Sequence, residues 1–158
     1  MEQDTPSPAP LRMIDVGAKP VTVRVARAGA RLLARPETIR RIRAGELEKG
    51  DAIAAARLAG IMAAKRTSEI VPLCHPLPLD SVAVTLRFDD PGAVEIESVV
   101  RATARTGVEM EALVAASAAA LTLYDMTKSI DPGMTIEGVR LEEKTGGTRG
   151  DWRRGAED

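Results

Sequence analysis

Val82-Ala83-Val84-Thr85-Leu86-Arg87-Phe88-Asp89-Asp90-Pro91-Gly92-Ala93-Val94-Glu95-Ile96 is where the architecture first shows. Val82, Val84, Leu86 and Phe88 alternate with Ala83, Thr85 and Arg87, the period of a strand with one buried face. Asp89-Asp90-Pro91-Gly92 is turn chemistry, and Val94 and Ile96 form the returning strand. A hairpin of this kind makes an antiparallel sheet, so the rest of the chain is read as what flanks and covers it.

Upstream, Val21, Val23 and Val25 alternate with Thr22, Arg24 and Ala26, which predicts a strand running to Leu33. Pro36 opens a short helix through Ile39 and Ile42 that Gly45 ends. Asp51 caps a second helix over Ala52 to Arg66. Pro72, Pro76 and Pro78 keep the stretch from Val71 to Pro78 out of any helix, leaving an extended segment or loop. Downstream, Gly107 precedes a long helix from about Val108 to Ser129; Asp131-Pro132-Gly133 stops it, and Ile136 to Glu143 makes a last strand. The order is strand, helix pair, strand, strand, helix, strand. That is an α+β, ferredoxin-like split βαβ with an extra short helix in the first crossover and helices on one face of an antiparallel sheet.

The chain has 158 residues, which predicts one domain over residues 13–147 between flexible tails at 1–12 and 148–158. Charge is balanced, with 22 basic and 23 acidic residues. Phe88, Tyr124 and Trp152 are the only aromatics, too few for a surface that stacks bases, so no nucleic-acid partner is expected. One cysteine, Cys74, rules out a disulfide within the chain, and one histidine, His75, leaves too few ligands for a closed zinc site. The apolar stretch between Glu111 and Asp125 is too short to span a bilayer, and the first residues do not read as a signal peptide. The expectation is a cytoplasmic protein with no membrane partner.

The long helix is apolar nearly all round, which implies burial on more than one side. Glu111, Ala115, Ala118, Thr122 and Asp125 follow helical spacing, with acids at the ends and small residues between. Fourteen residues put the two acids about 21 Å apart along the axis, too far to share a small ligand. Two antiparallel copies crossing near Ala118 would instead set Glu111 of one beside Asp125 of the other, a site shared across a two-fold axis. The plainer reading leaves both as solvated charges at helix ends, and Asp125 with Lys128 as a surface ion pair.

Lys49-Gly50-Asp51, Ala63-Ala64-Lys65-Arg66-Thr67, Leu73-Cys74-His75-Pro76-Leu77, Thr106-Gly107-Val108-Glu109-Met110-Glu111-Ala112-Leu113 and Tyr124-Asp125-Met126-Thr127-Lys128 stand in the order and spacing of one family. They resemble the cyclic pyranopterin monophosphate synthases of molybdenum cofactor biosynthesis (the MoaC family), and the match runs from Met13 to Gly147. The resemblance implies a lyase acting after a radical enzyme has made 3′,8-cyclo-7,8-dihydro-GTP. It converts that substrate to cyclic pyranopterin monophosphate and pyrophosphate, in a homohexamer built as a trimer of dimers with its sites at a subunit interface. Asp125, Lys128 and Lys49 are then the catalytic candidates. Leu73, Cys74, His75, Glu109, Met110, Glu111, Lys65, Arg66 and Lys144 are the substrate-binding ones.

Those residue types suit the chemistry. Arginine forks and lysines meet phosphate oxygens, and cations stabilise a departing pyrophosphate. Glu109 and Glu111 can accept N–H bonds from a guanine-derived ring. Asp125 and Lys128, one turn apart, suit proton transfer. Cys74 and His75 make a poor nucleophilic pair, because neighbours in an extended segment project to opposite sides; His75 reads as a substrate contact or acid/base auxiliary and Cys74 as pocket lining. Arg105 departs from the pattern, standing where lysine is common. No P-loop is present. No metal ligand set and no required cofactor is expected, although magnesium could accompany the triphosphate. The competing reading is a ferredoxin-like regulatory module that binds a nucleotide without turnover. It leaves Glu109, Glu111, Asp125 and Lys128 unexplained.

Overall fold

The computed structural model describes residues 8–156. The expected N-terminal tail therefore falls partly outside them, at residues 1–7. The order along the chain is β1 (Thr22–Leu33), α1 (Pro36–Ala44), α2 (Ala52–Ala64), α3 (Thr67–Ile70), β2 (Ser81–Asp90), β3 (Ala93–Ala104), α4 (Glu109–Thr127), β4 (Thr135–Thr145) and β5 (Trp152–Arg153). The strands form one antiparallel sheet in the order β2-β3-β1-β4-β5. This is the α+β, ferredoxin-like arrangement read from the hairpin outward.

Strand β1 alternates as expected, and its buried face is the alanine one. Ala26, Ala28, Ala30 and Leu32 are enclosed, whereas Val21 and Val23 are about half exposed. Alanines on that face let α4 lie close over the sheet, and Ser98 of β3 binds the α4 backbone through Oγ to the Ala112 carbonyl at 2.6 Å. Thr22 and Arg24 share this inner register, an unusual place for a guanidinium. The other face is charged: Arg31 pairs with Glu95 at 2.6 Å and Asp90 at 2.7 Å.

The small residues of α4 serve a contact inside the chain. Ala112, Ala115, Ala116, Ala119 and Ala120 are fully enclosed, and α2 crosses at Gly60, where a Cβ would lie 2.9 Å from the Ala115 carbonyl oxygen and 2.8 Å from Val84 Cγ2. The stripe expected to face a second copy is therefore covered at its Glu111 and Ala115 end by its own chain. Nearer the Asp125 end Leu121 is exposed on α4, and Leu58 and Met62 of α2 are exposed too.

Two short elements were not expected. Helix α3 follows the end of α2 after a break at Lys65 and Arg66. Strand β5 lies in the stretch read as a free tail. Gly146 and Gly147, both at positive φ, turn the chain back along β4; Asp151 Oδ1 accepts from the Gly146 amide at 2.9 Å, and the Arg154 amide donates to the Glu142 carbonyl at 2.8 Å. No helix among the described residues is long and apolar enough to cross a membrane.

Candidate functional site

The sheet, the loop after α3 and the start of α4 meet around a cavity of about 560 Å³. Its wall takes Arg24 from β1, Lys144 from β4, Cys74 and His75 from the proline-rich segment, Arg105 from the β3–α4 connection, and Glu109 and Met110 from the first turn of α4. Arg12 and Lys19, which precede β1, and Arg149, which follows β4, complete it. Six cationic side chains thus face one acid, Glu109, so the cavity favours an anion with several charges.

Local chemistry explains the placement. Arg24 Nη2 donates to the Arg105 carbonyl at 3.3 Å, while its buried Nε has no partner. A side chain at Gly147 would collide with that guanidinium, and one at Gly146 with the Val23 carbonyl, so the glycine pair leaves the arginine its space. Lys144 Nζ donates to Glu109 Oε1 at 3.1 Å. The segment around Cys74 is a turn, with the Cys74 amide donating to the Val71 carbonyl at 3.2 Å. Cys74, at the end of that turn, and His75 after it both line the cavity. Leu73 lines it too.

Glu111 is 3% exposed, which overturns its reading as a solvated helix-end charge. The Cys74 thiol donates to its Oε1 at 3.8 Å. Burial first, and the charge of Glu109 next, push the Glu111 carboxyl above the usual range. Burial and the Glu111 charge push the Cys74 thiol up as well.

The far end of α4 carries a second cluster. Asp125 is exposed and takes Lys128 Nζ on Oδ1 and Lys49 Nζ on Oδ2, each at 2.8 Å. Lys49 also donates to the Asp125 carbonyl at 3.1 Å. Hydrogen bonds from Lys128 and then Lys49 hold the carboxyl down at about 2, and Asp125 in turn raises the Lys128 ammonium. The surface ion-pair reading of Asp125 and Lys128 describes this geometry correctly, but it omits the third member. Lys49 arrives from the turn ahead of α2, which Asp51 caps by accepting from the Ala54 amide at 3.0 Å.

One chain thus brings together Leu73, Cys74, His75, Glu109, Met110 and Lys144, with Glu111 buried beside Cys74. It brings together Lys49, Asp125 and Lys128 separately, at the other end of the same helix. Lys65 and Arg66 are exposed at the α2–α3 break and line neither. Sequence reasoning missed Arg12, Lys19, Arg24 and Arg149 as lining residues. Arg24 alone left a signal, an arginine in register with buried Ala26, Ala28 and Ala30. Among the described residues no cluster of three or more His, Cys, Asp or Glu side chains could hold a metal ion.

Comparison with known proteins gives a consistent answer. The family model described as the MoaC family matches residues 13–147. A cyclic pyranopterin monophosphate synthase of Thermomicrobium roseum is 56% identical over 144 residues, covering 90% of this chain and 87% of that protein. Cyclic pyranopterin monophosphate synthase 1 of Mycobacterium tuberculosis is 53% identical over 147 residues, 93% and 86% of the two chains. The Brevibacillus brevis synthase is 52% identical over 144 residues, 91% and 90%.

Proposed function

The chain belongs to the MoaC family, and from that premise we propose that it converts 3′,8-cyclo-7,8-dihydro-GTP to cyclic pyranopterin monophosphate, releasing pyrophosphate, in molybdenum cofactor biosynthesis. The observation that carries the reading is the division of charge along α4: a cationic cavity with a buried acid at one end, a Lys-Asp-Lys cluster at the other.

The cavity takes the triphosphate and the guanine-derived ring. Arg12, Lys19, Arg24, Arg105, Lys144 and Arg149 meet the phosphate oxygens, whereas Lys65 and Arg66 of the same chain stand outside the cavity. Glu109 and Glu111 accept from ring N–H groups. To close the cyclic phosphate, a substrate hydroxyl attacks the α-phosphorus, its proton passes to a base, and the bond to the pyrophosphate oxygen breaks. Cations of the cavity stabilise the departing charge. Proton transfers of this step and of the ring rearrangement fall to Asp125, Lys128 and Lys49. Magnesium, where it takes part, travels with the triphosphate, and the protein needs no resident cofactor.

Those proton-transfer groups come from a second copy. About 21 Å of helix separates Glu111 from Asp125, so one chain cannot present both to one ligand. A homodimer related by a two-fold axis completes two sites at once, and three such dimers make the hexamer. The outward Leu58, Met62 and Leu121 are apolar surface suited to such a contact. An upstream radical enzyme supplies the substrate.

Single-turnover reaction with the purified cyclised dihydro-GTP, read as pyrophosphate release, tests this. The parent chain should convert it, and Asp125→Ala and Lys128→Ala should each slow conversion by about 10²-fold or more. Tight binding by the parent without pyrophosphate would instead establish the regulatory-module reading, and full activity in both variants would remove the assignment of those residues.

A further inference from the structure

Glu111 sits in the first turn of α4 with its Oε2 out of contact with any hydrogen-bond partner. A carboxylate withdrawn from water needs donors for its lone pairs, so an unpartnered buried oxygen is costly unless a bound molecule completes it. The side-chain donor that Glu111 has is the Cys74 thiol, on Oε1. Cys74 also lines the cavity, as do Val108, Glu109 and Met110, so the acid they adjoin lies directly behind the cavity wall.

We propose that Cys74 is a positioning residue: its thiol pins Oε1 of Glu111, so that the free Oε2 is the oxygen presented to an N–H donor of the bound pyrimidinone ring. The inference rests on the proposed function for the identity of that ring. The thiol is suited to the task because it is a weak donor. It fixes the direction of the carboxyl without saturating it, and leaves the stronger bond to the ligand. Titratable groups around Glu111 are few: Glu109 on the same helical turn, itself held by Lys144 of β4, and Cys74 with the adjoining His75 on the loop. Glu109 disfavours the ionised form of Glu111, and the thiol bond favours it. Removing the thiol therefore raises the pH at which Glu111 becomes an acceptor.

Two measurements test this, one of which needs no turnover. Cys74 is the only cysteine, so thiolate ultraviolet absorbance reads it alone once a Cys74→Ala blank has removed the Tyr124 contribution. The thiol midpoint should fall in Glu111→Gln, where the neighbouring negative charge is gone; an unchanged midpoint overturns the contact. Then kcat/KM for pyrophosphate release is followed against pH. In Cys74→Ala the acid limb should move up by about half a unit or more, and Cys74→Ser, which keeps a donor, should bring it back. A merely structural cysteine would lower kcat/KM evenly across pH, and that result overturns the proposal, as does a serine that restores nothing. A parent chain that shows no turnover while its thiol midpoint responds to Glu111→Gln would sink the proposed function and support the Cys74–Glu111 contact.

Discussion

Asp131 shows how a single carboxylate can be read locally and still misread. In the sequence it belongs to the Asp131-Pro132-Gly133 stop after the long helix. In the structure its buried side chain caps a different helix: Oδ2 accepts from the Arg35 amide and from Thr38 Oγ1, both at 2.9 Å, at the start of α1. Arg35 returns the contact by donating to the Ile130 carbonyl. The Arg35 amide first, and the Thr38 hydroxyl after it, hold the Asp131 carboxyl below its usual value. A depressed carboxyl contributes stability that is present above the ordinary aspartate range and is lost as pH falls through the lowered value. Asp131→Ala should thus cost about 1–2 kcal/mol near neutral pH by urea unfolding. The gap to the parent should narrow once the pH drops below about 4. Equal losses at neutral and acid pH would count against the cap. Asp125 is also depressed, to about 2, but stands exposed between two lysines. Its charge therefore contributes little to folding, since pairs in water are weak. Lys49, Asp125 and Lys128 were each named from the family resemblance, but only the Asp125–Lys128 pairing was legible, and Lys49 joins it through the fold. The capping role of Asp131 was not legible, because nothing in the 96-residue separation from Arg35 marks the pair.

At the scale of elements, helical periodicity identified α4 and the smallness of one side, but it could not say what approaches that side. The answer is α2, whose Gly60 leaves no room for a methyl group against the Ala115 carbonyl and Val84. Gly60→Ala should gain up to about 1 kcal/mol of helix propensity and lose about 1–3 kcal/mol to overpacking. The net expectation is a lower denaturant midpoint, and a higher one would mean that α2 shifts freely on α4. The β-strands were legible because their alternation is strong, including the Asp-Asp-Pro-Gly hairpin between β2 and β3. Which face of β1 is inside was not, since alanine carries little hydrophobic signal and Val21 and Val23 carry more. Four residues of α3 and two of β5 are too short to show any period. Strand β5 forms because a glycine pair folds the chain back onto β4.

For the whole molecule, the proposed site exists only between copies, and that has an arithmetical consequence. Glu111→Ala and Asp125→Ala chains are each expected to be inactive, yet a hybrid dimer joins the intact Asp125 of one to the intact Glu111 of the other. Random re-pairing of an equal mixture should restore about a quarter of the parent activity. Demonstrated subunit exchange with no recovered turnover would end the shared-site reading. The cationic cavity itself was legible only in part: its motif residues were named, whereas Arg12, Lys19 and Arg149 are isolated cations that folding alone gathers. Helix α4 fixes the distance and the angle between the two half-sites, which makes it a gauge as well as a scaffold. One residue inserted between Glu111 and Asp125 would swing the two ends about 100° out of phase, and four would restore the facing but stretch the span by about 6 Å. If the site is shared as proposed, the tails and surface turns can change length without touching it, but the residue count of this one rod cannot.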